Sequence, residues 1–210
     1  MKKLLIFLAF LCLACHPKHK AKDYPVWTEE DRELLIREFR STKAALHALV
    51  DDLTDEQWHF KPDENSWSIA YIIEHLQLQE DMHYREVRIV SMQPPQPEFS
   101  LKTIGNDEKV NAYETLPEKG VAGWNVTPLG RWPTKAMALM AFDRSRDNMI
   151  ALVKNMNADL RQQVTFRNIP DKDDFRNVRN LHQILLTTIA HTKRHMHQLK
   201  RIKAAGNFPQ

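Results

Sequence analysis

Apolar residues recur every three to four positions through four long stretches of this chain, and each stretch reads as a helix with one buried face. The first runs from Thr28 to about Leu53, with Leu35, Phe39, Leu46, Val50 and Leu53 on one side. Thr28, followed by Asp31 three residues later, forms a capping signal at its start. Thr54 and Gln57 repeat that signal and open a short turn holding Trp58 and Phe60. After a break at residues 62–65, Ser66 is read as the cap of a second long helix over about residues 67–91. Thr134 caps the third, which reaches about Asn155 and whose inner face is read as Met137, Ala141, Asn148, Leu152 and Met156. Asn180 caps the last, which runs to Ala205 and stops at Gly206. Its stripe is Leu181, Ile184, Thr188, Thr192, Leu199 and Ile202, while His182, Lys193, Arg194 and His197 turn away.

Between the second and third helices the pattern breaks down. Residues 93–133 hold six prolines and four glycines, which predicts a long crossover loop with room for a short helix near residues 106–116. Trp124 and Trp132 could pack that loop over the mouth of a site or simply tie it to the bundle. Residues 157–179 are polar, with an extended piece near residues 164–169. Four long amphipathic helices and one long crossover predict an all-α chain folded as a four-helix bundle.

Composition changes this picture little. The 210 residues suit one domain, and the net charge of +3 falls to +1 without Lys2 and Lys3. No basic patch interleaved with aromatics stands out, so nucleic acid is not expected as a partner. Both cysteines, Cys12 and Cys15, lie in the first fifteen residues. A domain beyond them has neither a disulfide framework nor a thiolate ligand, and any metal must be held by nitrogen and oxygen. The opening MKKLLIFLAFLCLAC reads as a signal peptide over residues 1–14, too short for an ordinary membrane span. Its end looks like a bacterial lipoprotein cleavage box with Cys15 lipidated, although Cys12 stands where leucine is commonest. A cell-envelope protein held by a lipid anchor is therefore expected, with residues 15–26 as a tether. The alternative is cleavage after Ala14 and release as a soluble secreted protein.

Candidate chemistry lies in three histidines. His191 and His195 are four apart on the last helix, so they share one face about a turn apart and fall within or beside its apolar stripe. A third ligand is best supplied by His75. With His75 as reference, Tyr71, Ile72, Gln79, Met82, Glu86, Ile89 and Val90 lie within about 60° of it. That places His75 near the centre of a face read as buried. Three neutral imidazoles leave a zinc-like ion an open coordination position, for water or for a substrate thiol. Zinc or nickel suits such ligands. Gln79 or Glu86 would orient the ligand rings through their other nitrogens. His47, His59, His83, His182 and His197 show no comparable placement and are read as surface or packing residues.

Three segments carry a family resemblance: WHFKPDENSWSIAYIIEHL (residues 58–76), PLGRWPTKAMALMAFDRSR (residues 128–146) and IAHTKRHMHQLKRI (residues 189–202). Over residues 27–205 the chain resembles the DinB superfamily, the DinB/YfiT-like proteins. The resemblance implies a four-helix bundle of unusual connectivity. It also implies a divalent metal held by one histidine of the second helix and an HxxxH pair of the last, at His75, His191 and His195 here. Relatives include S-transferases that use low-molecular-weight thiols, an isomerase that uses such a thiol, and many members of unknown activity. A metal-dependent transferase or hydrolase that acts on a small molecule and can pair as a homodimer is thus expected. The competing reading is a lipid-anchored binding bundle whose metal is structural or vestigial.

Overall fold

The computed structural model describes residues 23–116 and 121–210. The predicted signal peptide and Cys15 lie outside the described residues. The main helices are α1 (Glu29–Val50), α3 (Ile69–Val90), α6 (Lys135–Lys154) and α7 (Leu181–Lys203). Between them lie three short helices, α2 (Asp55–His59), α4 (Pro97–Ser100) and α5 (Asp107–Glu114), and two strands, β1 (Val164–Phe166) and β2 (Val178–Asn180). The strands pair antiparallel, Thr165 opposite Arg179. Among the described residues no helix is long and apolar enough to cross a membrane.

Helix starts follow local chemistry. Thr28 with Asp31, Thr54 with Gln57, and Asn180 with Gln183 each form the reciprocal side-chain and backbone bonds of a capping box. The α3 cap is Ser68 rather than Ser66: its hydroxyl accepts from the Tyr71 N–H, while Ser66 donates to Asp63 in the preceding turn.

Two apolar clusters fill the bundle and fix its connectivity. One joins the N-terminal halves of α1 and α7 (Leu35, Phe39, Leu181, Leu185) to the C-terminal ends of α3 and α6 (Val87, Met149, Val153). The other joins the opposite ends: Leu46, Val50, Ile72, Ile73, Phe142, Leu199 and Ile202. Helices α1 and α7 therefore run together, and α3 and α6 run together against them. Adjacent parallel helices cannot be joined by a tight turn, because the chain must travel back along the whole bundle. Residues 91–134 make that return. They are not a plain loop: α4 and α5 are built into them, and α5 packs on α7.

A polar layer separates the clusters. Arg146 of α6 is fully buried and pairs with Glu80 of α3, itself 1% exposed. The Arg146 Nε donates to both Glu80 oxygens at 2.7 and 3.0 Å. Its terminal nitrogens reach the Phe39 carbonyl at 2.9 Å, the Thr42 hydroxyl, and the Thr192 hydroxyl at 2.9 Å. One guanidinium thus holds all four long helices in register.

This layer corrects the expected inner face of α6. The buried residues are Ala138, Phe142, Ser145, Arg146, Met149 and Val153. Met137 and Asn148 face outward. Many small and apolar residues crowd residues 136–142, so periodicity alone left the phase ambiguous, and a buried arginine pushed the reading the wrong way. His182 is also buried, because Trp27 covers it with an indole N–H 3.2 Å from His182 Nδ1.

Candidate metal centre

Helix α7 presents His191 and His195 one turn apart, and α3 brings His75 opposite them. His191 Nε2 lies 3.1 Å from His195 Nε2 and 3.3 Å from His75 Nε2. The three candidate ligand atoms all fall within 4.8 Å of one another. His75 and His195 are buried and His191 is partly so.

The outer ring nitrogens are fixed by acceptors. His75 Nδ1 is 2.7 Å from the Val126 carbonyl, and His195 Nδ1 is 2.8 Å from Gln198 Oε1. The Val126 carbonyl can only accept and the Gln198 amide presents its oxygen, so each ring carries its proton on Nδ1 and turns a bare Nε2 inward. Two lone pairs then converge on His191 Nε2, which can give a proton to one of them at most. His191 Nδ1 is buried with no hydrogen-bond partner among the described residues. A cation between the three Nε2 atoms would satisfy all of them, so the donor set fits the divalent metal that the spacing suggested.

Electrostatics agree with the ligand form. Burial pushes the pKa of His75 below its usual value and that of His195 down to about 3. His191 is held well below its usual value by burial and then by its two neighbouring rings. All three are neutral at pH 7, the state in which imidazole donates to a metal.

His75 is buried for a different reason from the one expected. The bundle-facing side of α3 carries Ile69, Ile72, Ile73, Leu76, Glu80, His83 and Val87, whereas Ile89 is 59% exposed. His75 sits at the edge of that face and is covered from outside. Trp67 packs against it at 4.9 Å between ring centroids with the planes tilted by 52°, and the crossover supplies Val126. Trp132 packs against the second apolar cluster, but Trp124 is 91% exposed and ties nothing down.

The expected orienting residues, Gln79 and Glu86, are engaged elsewhere. Gln79 Nε2 is 3.0 Å from His83 Nε2, and Glu86 pairs with Arg167. Val126 and Gln198 take the orienting role instead. Gln198 was readable in principle, three residues beyond His195 on the same helix. Val126 was not, since a main-chain carbonyl 51 residues away leaves no mark in sequence.

Sequence reasoning also missed Glu74 and His83. Glu74, beside His75 in the chain, is 2% exposed. Its carboxylate accepts the N–H groups of Leu129 (2.9 Å), Gly130 (2.8 Å) and Arg131 (3.1 Å), and pairs with the Arg131 guanidinium. Gly130 has a φ of +74°, a left-handed conformation that lets three successive N–H groups face one carboxylate. This clamp fixes the crossover just after Val126 and so holds the carbonyl that orients His75. His83 is buried with Nδ1 2.8 Å from the Thr188 hydroxyl, which donates onward to the Ile184 carbonyl. His59 and His197 lie at the surface, and His47 pairs with Asp51 and Asp143.

The fold and the cluster together define a helical bundle with three convergent, neutral histidines at its side. The DinB superfamily profile matches residues 38–199, and the chain belongs to that superfamily. Among solved structures it is similar to YfiT from Bacillus subtilis, described as a probable metal-dependent hydrolase with an unusual four-helix bundle topology. The TM-score is 0.56 at 16% identity, over 91% of this chain and 95% of the other. No curated protein sequence matches the chain.

Proposed function

We propose that this protein is a divalent-metal-dependent enzyme acting on a small molecule, with His75, His191 and His195 as its metal ligands. The observation that carries this reading is the convergence of three Nε2 atoms, two of them bare because their Nδ1 protons are committed to Val126 and Gln198. Zinc or nickel fits an all-imidazole set. Such an ion, when bound by three protein ligands, supplies Lewis acidity and an open coordination position. The chain's own part is to keep the rings neutral, aim them, and wall one side of the site with Trp67. Hydrolysis is the reaction class we favour over thiol S-transfer. The expected lipid anchor at Cys15 puts the domain outside the cytoplasm, where small thiols are scarce and water is not.

The test is a panel of esters, amides, and thiol–electrophile pairs, run on metal-loaded protein and on His195→Ala. Metal-dependent turnover of an ester or amide, lost in the variant, is the expected result. Thiol-only turnover would move the reading to a transferase. Silence across the panel, with folding unchanged on metal removal, would favour a binding module instead.

The clamp gives a second expectation. Glu74→Ala frees the crossover, so His75 loses its fixed orientation. Affinity for divalent metal should fall about 10- to 100-fold, the usual effect of losing a group that orients a ligand. Titration of metal-stripped protein measures it, with helix content by circular dichroism as control. Unchanged affinity would show that the clamp is irrelevant to the site.

A further inference from the structure

The chain enters the bundle at a corner that carries apolar side chains outside the core. Tyr24 is held there by a hydrogen bond from its hydroxyl to Glu98. Beside Glu98, Phe99 stacks edge-on against Phe166 at 5.1 Å, and both rings are exposed. Met92 is 75% exposed close by, because Gln163, three residues before Phe166, donates to the carbonyls of Ser91 and Gln93 on either side of it. Val26 and Ile104 are exposed as well. One cation flanks the rings, Lys102, whose Nζ lies 5.9 Å from the Phe99 centroid; Arg167, next to Phe166, is paired with Glu86. A pair of exposed rings with a cation beside it and further exposed apolar side chains on the same segments has the makings of a surface that rests on lipid headgroups.

We infer that this corner docks on the bilayer surface, with Phe99, Phe166 and Met92 reaching into the interface and Lys102 at the headgroups. The inference rests on lipidation at Cys15. Tyr24 lies nine residues after Cys15, and a chain that long spans at most about 30 Å. A lipid at Cys15 thus keeps this corner within about 30 Å of the membrane. The stance puts the N-terminal end of α7 toward the bilayer. His191, ten residues further along, then lies about 15 Å farther from it along the helix axis.

The test uses the full chain, exported and processed, and reconstituted into phosphatidylcholine–phosphatidylglycerol vesicles carrying doxyl-labelled lipid. Phe99→Cys and, as a control on exposed α2, Glu56→Cys each carry a polarity-sensitive thiol dye. The expected result is flotation with the vesicles, a blue-shifted dye at position 99 quenched at least threefold more than at position 56, and loss of that difference when Phe166→Asp and Met92→Asp are added. A chain that does not float overturns the proposal at its anchor. A floating chain with equal quenching at both positions overturns the docking face. A blue-shifted dye at position 99 without quenching, together with disulfide cross-linking of Phe99→Cys chains, assigns the corner to a second copy and also overturns it. None of these readouts depends on metal or turnover.

Discussion

Arg146→Ala is expected to cost the bundle about 3–5 kcal/mol, the usual penalty for removing one partner of a buried ion pair. The substitution strands Glu80, which is 1% exposed and loses the guanidinium that it pairs with, and it unties Phe39, Thr42 and Thr192 in one step. Burial already raises the Glu80 pKa, so the stranded carboxyl would take a proton rather than stay charged. Urea denaturation followed by circular dichroism measures the loss as a lower midpoint. Replacing both partners, Arg146→Met with Glu80→Leu, should recover most of it, because apolar groups of similar size leave no orphaned charge. A single variant as stable as the parent would remove the ion pair from the account of this fold. A double variant that is stable but no longer a single, cooperatively unfolding species would show that the pair sets helix register rather than strength.

Acid should unfold the metal-free protein early, between about pH 4 and pH 5. Burial holds His83 neutral down to about pH 3, and burial with the nearby Arg161 holds His182 neutral down to about pH 4. In the unfolded chain both protonate near pH 6.5. Below that value the unfolded state binds more protons than the folded state, so stability falls as the pH falls. Each such ring removes about 1.4 kcal/mol per pH unit, and two rings over two units remove roughly 5–6 kcal/mol, comparable to the whole stability of many domains. The three candidate ligand rings act in the same sense. Glu80 and Glu114 act in the opposite sense, since burial raises their pKa values. His47 also opposes the fall, since its partial burial is outweighed by Asp143 and Asp51, which raise its pKa, but five rings against these three groups leave the fall in place. Denaturation midpoints from pH 7.5 to pH 4.5 test this, and a His182→Gln variant should flatten the slope by about one proton. Stability that does not change over that range would mean these rings are solvated in the folded chain.

How legible the molecule was depended on the range of each interaction. The caps at Thr28, Thr54, Thr134 and Asn180 were readable because a cap is made by residues three apart. The α1 seam was readable because Leu35, Phe39, Leu46 and Val50 all lie on one buried side, and all are 0% exposed. The HxxxH pair was readable because helix geometry alone sets its spacing. His75 could be nominated as the third histidine, but its phase argument was wrong: the face assigned to it includes the exposed Ile89, and its burial comes from Trp67 and the crossover. The inner face of α6 failed for a related reason. Arg146 looks like a surface residue until Glu80, 66 positions away, is placed beside it.

By itself the sequence determined the four long helices, the crossover between the second and third, and the His191–His195 pair, because each follows from neighbours within a few residues or a turn or two of helix; His75 was carried by the resemblance to a family pattern, not by its local phase. Only the tertiary structure decided which groups orient those rings, which charges are buried, and which apolar side chains remain outside. A carbonyl at Val126, a carboxylate at Glu74 and a guanidinium at Arg146 act through partners 46 to 107 positions distant. Those partners meet because the parallel pairing of α3 and α6 forces the chain back along the bundle, and no local pattern records which residues that return lays side by side.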